Sequence, residues 1–118
     1  FAKYKKELAG LDGLSFMEDA SYGVSNKWLT VIRIDPKNSP VKPLEIMETL
    51  EKENIESRPV WKPMHLQPVF DRCNFYAKED GMDISKILFE QGVCMPSGTQ
   101  MTEAEQDRVI EIIKGLWK

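Results

Sequence analysis

The sequence has little of what metal and redox sites require, because its 118 residues include one histidine and two cysteines. The single histidine, His65, excludes a two-histidine metal site, and Cys73 and Cys94 lack the spacing of a CxxC motif. We therefore predict that the chain holds no metal and that both cysteines are reduced thiols, as in a cytosolic protein. The sequence also lacks a G-x-S-x-G elbow, a phosphate-binding loop and a G-x-G-x-x-G fingerprint. No residue of this chain is therefore predicted to be catalytic.

Two further absences concern partners and membranes. The net charge is −3 with a pI of about 5.2, and no cluster of lysines and arginines gives the basic footprint of a nucleic-acid-binding protein. No apolar run approaches the roughly 18 residues that a membrane span needs, and the first residues lack the apolar core of a signal peptide. We predict a cytoplasmic protein that binds neither nucleic acid nor membrane.

The patterns that are present predict one small domain over residues 1–118. Apolar periodicity and terminating residues predict helices over 1–10, 41–53 and 84–91, and from Thr102 to the end of the chain. Short apolar or β-branched runs predict strands over 14–17, 28–34, 55–58 and 93–95. The fold class is therefore α+β, with a small antiparallel or mixed sheet of three to four strands packed against helices.

Local signals mark several element boundaries. Asn54 is a good left-handed helix terminator, Asp83 can cap a helix, and Thr102 with Glu105 can form a capping box. Asp80-Gly81 is typical of a turn. Strand 28–34 is apolar on both faces up to Arg33, so it is predicted to be an interior strand that is covered on both faces or nearly so.

Residues 56–70, which we call the proline segment, contain Pro59, Pro63 and Pro68. Each proline removes a backbone donor and pushes the residue before it towards extended geometry. We therefore predict a stiff, extended path through which no helix can run. Five apolar side chains are predicted to be buried anchors along it: Trp61, Met64, Leu66, Val69 and Phe70.

The proline segment also carries the candidate substrate-binding residues Arg58, Trp61, Lys62 and His65. An arginine can hold a carboxylate or phosphate through two hydrogen bonds, a lysine adds a point charge, and an indole can stack on a base or sugar. These residues could bind an acidic ligand or a nucleotide sugar but could not perform the chemistry unaided. A packed structural crossover, with His65 in a structural role, remains open.

The proline segment resembles part of the DegT-type sugar-nucleotide aminotransferases, which use pyridoxal phosphate. The stretches 25–30 and 94–102 resemble this family too, in the right order. The resemblance implies the C-terminal small domain of a fold-type-I aminotransferase. The parent enzyme would transfer an amino group from glutamate to a nucleotide-linked 4-keto-6-deoxy (N-acetyl)hexosugar, for surface polysaccharide or glycan synthesis.

The resemblance also implies what this chain lacks. In the family, the lysine that holds the cofactor, the aspartate on its pyridine nitrogen and the phosphate-binding residues belong to an upstream large domain. We therefore expect a piece of a longer, homodimeric enzyme that alone neither holds pyridoxal phosphate nor transaminates. Arg58, Trp61, Lys62 and His65 would line the rim of the substrate cleft. The alternative is a free-standing α+β binding or regulatory module for an acidic ligand or a protein partner.

Overall fold

The computed structural model describes residues 1–77 and 81–118 as four helices, four strands and two short 3₁₀ turns. In chain order these are α1 (Ala2–Leu8), β1 (Leu14–Phe16), β2 (Thr30–Ile34), α2 (Pro43–Lys52), β3 (Arg58–Pro59), turns at Met64–Leu66 and Pro68–Phe70, α3 (Ile84–Gln91), β4 (Gly92–Met95) and α4 (Glu103–Leu116). Asp80, in the predicted turn Asp80-Gly81, lies outside the described residues.

The strands form one antiparallel sheet in the order β1-β2-β4-β3. At its centre, Ile32 of β2 lies opposite Val93 of β4. Side chains alternate between the two faces of a strand, so Thr30, Ile32 and Ile34 point to one face and are buried there. The predicted α+β fold is confirmed.

The core lies where this sheet face meets helices α1, α2 and α4. Its fully buried side chains include Tyr4, Leu8, Ile32, Ile34, Ile46, Leu50, Val93, Ile110 and Ile113. The Tyr4 hydroxyl donates a hydrogen bond to the carbonyl of Pro96 at 3.0 Å, and burial raises the pKa of Tyr4 to about 12. The phenol therefore stays protonated and ties α1 to the turn after β4.

Local capping signals agree with the structure. The backbone of Asn54 is left-handed, with φ of 63°, and the side chain of Asp83 accepts from the amide of Lys86. Thr102 and Glu105 satisfy each other's amides as a complete capping box. These predictions hold because each interaction joins residues within one turn of a helix.

The prediction for strand 28–34 was wrong in its start and in its coverage. The ladder begins at Thr30, and Trp28 is 71% exposed. On the outer face Val31 is only half-buried, and Arg33 is exposed with its Nε donating to Oε1 of Gln91 at 2.7 Å. The strand is interior within the sheet, but its outer face is only partly covered.

The predicted strand 55–58 is a two-residue strand, Arg58–Pro59, that pairs with β4 from the edge of the sheet. Because proline cannot donate to a ladder, an edge strand is one of the few places in a sheet that accept Pro59. The proline segment then leaves the sheet and coils into the two 3₁₀ turns, so the extended path predicted along its whole length was wrong. A three-residue turn tolerates proline at its start, where no donor is needed.

The predicted burial of the apolar anchors was also wrong. Trp61, Met64 and Val69 are exposed, and Leu66 and Phe70 are only half-buried. The physical reason is that the proline segment packs at the sheet edge and beside α3, away from the core. In the described ranges, no helix is long and apolar enough to cross a lipid bilayer.

Candidate functional site

A groove of about 460 Å³ runs along β3 and the start of the proline segment. Its walls are formed by Leu29, residues 56–62, Phe89, Cys94 and Met95. Three of the four predicted binding residues, Arg58, Trp61 and Lys62, line this groove, and His65 is not among its lining residues. The groove is therefore the candidate site.

The guanidinium of Arg58 is exposed and paired with Glu56, also exposed, whose Oε1 accepts from its Nε at 2.7 Å. Only Ser57 separates the two residues, and Arg58 is the first residue of β3. An exposed ion pair contributes only about 0–1 kcal/mol, because water competes for both charges. A ligand anion can therefore replace the Glu56 carboxylate at little cost.

Lys62 is exposed and forms no ion pair within residues 1–77 and 81–118. Its backbone carbonyl accepts a hydrogen bond from Nε2 of Gln67 at 3.3 Å, which links this position to the first 3₁₀ turn. The side chain therefore presents a positive charge to solvent beside a hydrogen-bonded backbone.

Trp61 lies beside Trp28, and the two ring centroids are 6.3 Å apart with an interplanar angle of 34°. Trp28 is not among the binding residues predicted from the sequence, because it was predicted to lie inside a strand. The turn-forming pair Ser25-Asn26, which precedes Lys27 and Trp28, was the signal that the strand begins later.

His65 is held away from the groove by two contacts. Its Nε2 lies 2.6 Å from Oδ2 of Asp83, and its ring stacks on Phe75 with centroids 3.8 Å apart. Asp83 is the cap of α3, since its Oδ1 accepts from the amide of Lys86 and the hydroxyl of Ser85. His65 therefore ties the proline segment to the start of α3.

The charge of Asp83 follows from these contacts. Burial acts to raise the pKa of Asp83, but the hydrogen bonds from Lys86, Ser85 and His65 outweigh it and hold the pKa below its usual value. Asp83 is therefore ionised at neutral pH and accepts from the imidazole.

We expect His65→Ala to lower the urea midpoint of unfolding, because it removes both the hydrogen bond to Asp83 and the stack on Phe75. An aromatic pair alone contributes about 0.5–1.5 kcal/mol. His65→Phe keeps a stack, so its midpoint should lie between those of wild type and His65→Ala. The exposed Lys86→Ala serves as the control. Equal midpoints for His65→Ala and the control would show that the tie to α3 does not stabilise the chain.

Two other groups of the groove wall do not take part in ionic contacts. The thiol of Cys94 lies 3.9 Å from the carbonyl of Pro59, and burial raises its pKa, so it stays protonated. The hydroxyl oxygen of Ser57 is buried without a hydrogen-bond partner among the described residues.

A second hollow, of about 500 Å³, lies beside the start of α4. Its ionisable residues are already engaged: Arg108 binds Glu53 and Glu105 completes the cap of Thr102. No aromatic ring lines it. In the described part of the chain, no group of three or more potential ligands is placed to hold a metal ion.

The antiparallel sheet, the helical layer and an edge groove lined by Arg58, Trp61 and Lys62 define a small α+β domain. The chain belongs to the DegT/DnrJ/EryC1/StrS aminotransferase family, whose sequence profile matches residues 1–114.

Relatives and solved structures agree with this assignment. The chain is 47% identical over 117 residues to EpsN of Bacillus subtilis (strain 168), which is provisionally named as a pyridoxal phosphate-dependent aminotransferase. Over 83 residues, which are 70% of the chain, it is 30% identical to GDP-perosamine synthase of Caulobacter vibrioides. The crystal structure of DesV from S. venezuelae superposes on 99% of the chain with a TM-score of 0.79 at 20% identity. At 20% identity, the likeness to DesV shows a shared fold and nothing about activity.

The chain spans only part of these proteins. The matched region is 29% of EpsN, 21% of the perosamine synthase and 30% of DesV. The family uses pyridoxal phosphate. None of the lysines among the described residues is buried, and Lys62, the one in the groove, is exposed beside the Arg58–Glu56 pair. This set does not fit the cofactor, and no catalytic step follows from it.

Proposed function

We propose that this chain is the C-terminal small domain of a cytoplasmic, homodimeric sugar aminotransferase and that its groove binds a nucleotide-linked keto sugar. The remainder of the parent protein would hold pyridoxal phosphate, and glutamate would supply the amino group. The observation that carries the proposal is that Arg58, Trp61 and Lys62 line one groove in a chain of this family.

The chemistry of the groove supports this substrate class. A nucleotide sugar carries a diphosphate, a planar base and hydroxyl-rich rings. Arg58 can exchange Glu56 for a phosphate, Lys62 adds a second positive charge, and Trp61 offers a ring face. Several exposed apolar side chains of the proline segment, including Met64 and Val69, are typical of a surface completed by another part of a protein.

In the parent enzyme, we expect Arg58→Ala to raise the KM for the nucleotide sugar roughly 10-fold to 100-fold and to leave the cofactor absorbance unchanged. A hydrogen bond to a charged group contributes about 1.5–3 kcal/mol, which sets this range. Initial-rate kinetics with varied sugar and varied glutamate separate the two substrates.

Two matched variants sharpen this experiment. Glu56→Gln removes the competing carboxylate, so it should lower the same KM. Arg108→Ala removes an arginine paired with Glu53 outside the groove, so it should leave both KM values unchanged. If Arg58→Ala behaves like wild type towards both substrates, Arg58 has a structural role. If only the KM for glutamate rises, the groove binds the amino donor.

A further inference from the structure

Trp28 and Trp61 come from distant parts of the sequence and meet at the surface. Trp28 lies just before β2 and Trp61 just after β3, and their indoles are 71% and 64% exposed. The ring centroids are 6.3 Å apart with a tilt of 34°. Two large rings side by side in solvent leave much apolar surface uncovered, which marks a contact surface.

Backbone contacts hold both positions, so burial of the indoles is not what places them. The amide of Trp28 donates to Oδ1 of Asn26 at 3.0 Å, and the amide of Lys27 donates to Oγ of Ser25 at 3.1 Å. The amide of Val60, next to Trp61, donates to the carbonyl of Gly92 at 3.4 Å. The pair is thus pre-formed, which lowers the entropic cost of binding a flat ligand.

The charges nearby select among flat ligands. Lys62 directly follows Trp61, and Arg58 is three residues before it in an exchangeable ion pair. An aromatic platform next to positive charge suits a planar ring attached to phosphate. A purely apolar occupant would leave Lys62 without a counter-charge from the described residues.

We propose that Trp28 and Trp61 form a stacking platform for the base of a nucleoside diphosphate, whose phosphates lie towards Lys62 and Arg58. This inference rests on the proposed function, because the nucleotide is the carrier of the sugar. It makes Trp28, which lies outside the proline segment, a binding residue.

The test measures dissociation constants of the parent protein for GDP, UDP and inorganic pyrophosphate by isothermal titration calorimetry. Trp28→Ala should weaken both nucleotides about tenfold or more, the loss typical of a base–aromatic stack, and leave pyrophosphate unchanged. Trp28→Phe should restore most of the affinity, because a smaller ring still stacks. Lys62→Ala should weaken all three ligands.

Trp117 provides the matched control. It is half-buried against the core, and its Nε1 donates to the carbonyl of Asp12 at 2.9 Å. Trp117→Phe should leave all three dissociation constants unchanged. Unchanged nucleotide binding in Trp28→Ala would overturn the proposal, as would an equal loss of pyrophosphate binding. If Trp28→Ala leaves nucleotide binding unchanged but makes the parent protein dissociate or unfold, the proposal is also overturned. The indoles would then belong to an interface with the rest of that protein.

The same proteins separate this inference from the proposed function. A wild-type parent that aminates a nucleotide-linked keto sugar, combined with a Trp28→Ala variant of normal nucleotide affinity, would overturn only the platform. A wild-type parent that binds neither nucleotide and aminates no nucleotide sugar would overturn both.

Discussion

Gly13→Ala should lower the free energy of unfolding by about 2–5 kcal/mol, measured by urea denaturation of the chain. Gly13 has φ of +75°, a left-handed conformation that costs an L-residue about 1–2 kcal/mol. A Cβ at this position would also lie 2.7 Å from the Cα of Ser39 and would contact the amide nitrogen of Ser39. Forcing such a contact costs about 1–3 kcal/mol more, because the obstacle is backbone.

Two other glycines separate these contributions. Gly81 has a similar φ of +80°, and no atom of the described residues lies within 4 Å of a new Cβ, so Gly81→Ala should lose only the conformational part. Gly10 has neither a positive φ nor a close neighbour, so Gly10→Ala should be nearly neutral. Equal losses for Gly13→Ala and Gly81→Ala would mean that the approach to Ser39 relaxes without cost.

Ile113→Ala is expected to destabilise the chain by about 2–5 kcal/mol, the range for removing a buried aliphatic side chain. Ile113 lies on the inner face of α4, is fully buried and belongs to the cluster between the helices and the sheet. A whole domain is stable by only about 5–15 kcal/mol, so this loss is a large fraction of the total.

Ile112 is the matched control, because it is the same residue type one position earlier in α4. It is only half-buried at the edge of the cluster, so Ile112→Ala should cost clearly less. Thermal or urea unfolding of both variants provides the comparison. If Ile112→Ala costs as much as Ile113→Ala, the two faces of α4 are buried equally, contrary to the packing described above.

The fold could be predicted from the sequence where one element specifies its own ends. The capping box of Thr102 and Glu105, the left-handed Asn54 and the cap at Asp83 each depend on neighbours within about one helical turn. Apolar and β-branched runs likewise placed β2 and β4 correctly to within two residues.

The candidate site was harder to predict because its members meet through the sheet. The sequence placed Arg58, Trp61 and Lys62 together, and all three line the groove. It also grouped His65 with them, but Asp83 and Phe75 hold that ring elsewhere. The contact of Trp28 with Trp61 depends on the strand order β2-β4-β3, which no local pattern encodes.

The sequence by itself determined the element types, most helix ends, the α+β class and the family resemblance, since propensity, capping and periodicity act over a few residues. Only the tertiary structure decided that Trp61, Met64 and Val69 stay exposed, that β3 shrinks to Arg58–Pro59, and that two indoles share one surface. The physical reason is that burial depends on what packs against a side chain. An apolar residue on a sheet edge remains in solvent when the fold places nothing over it.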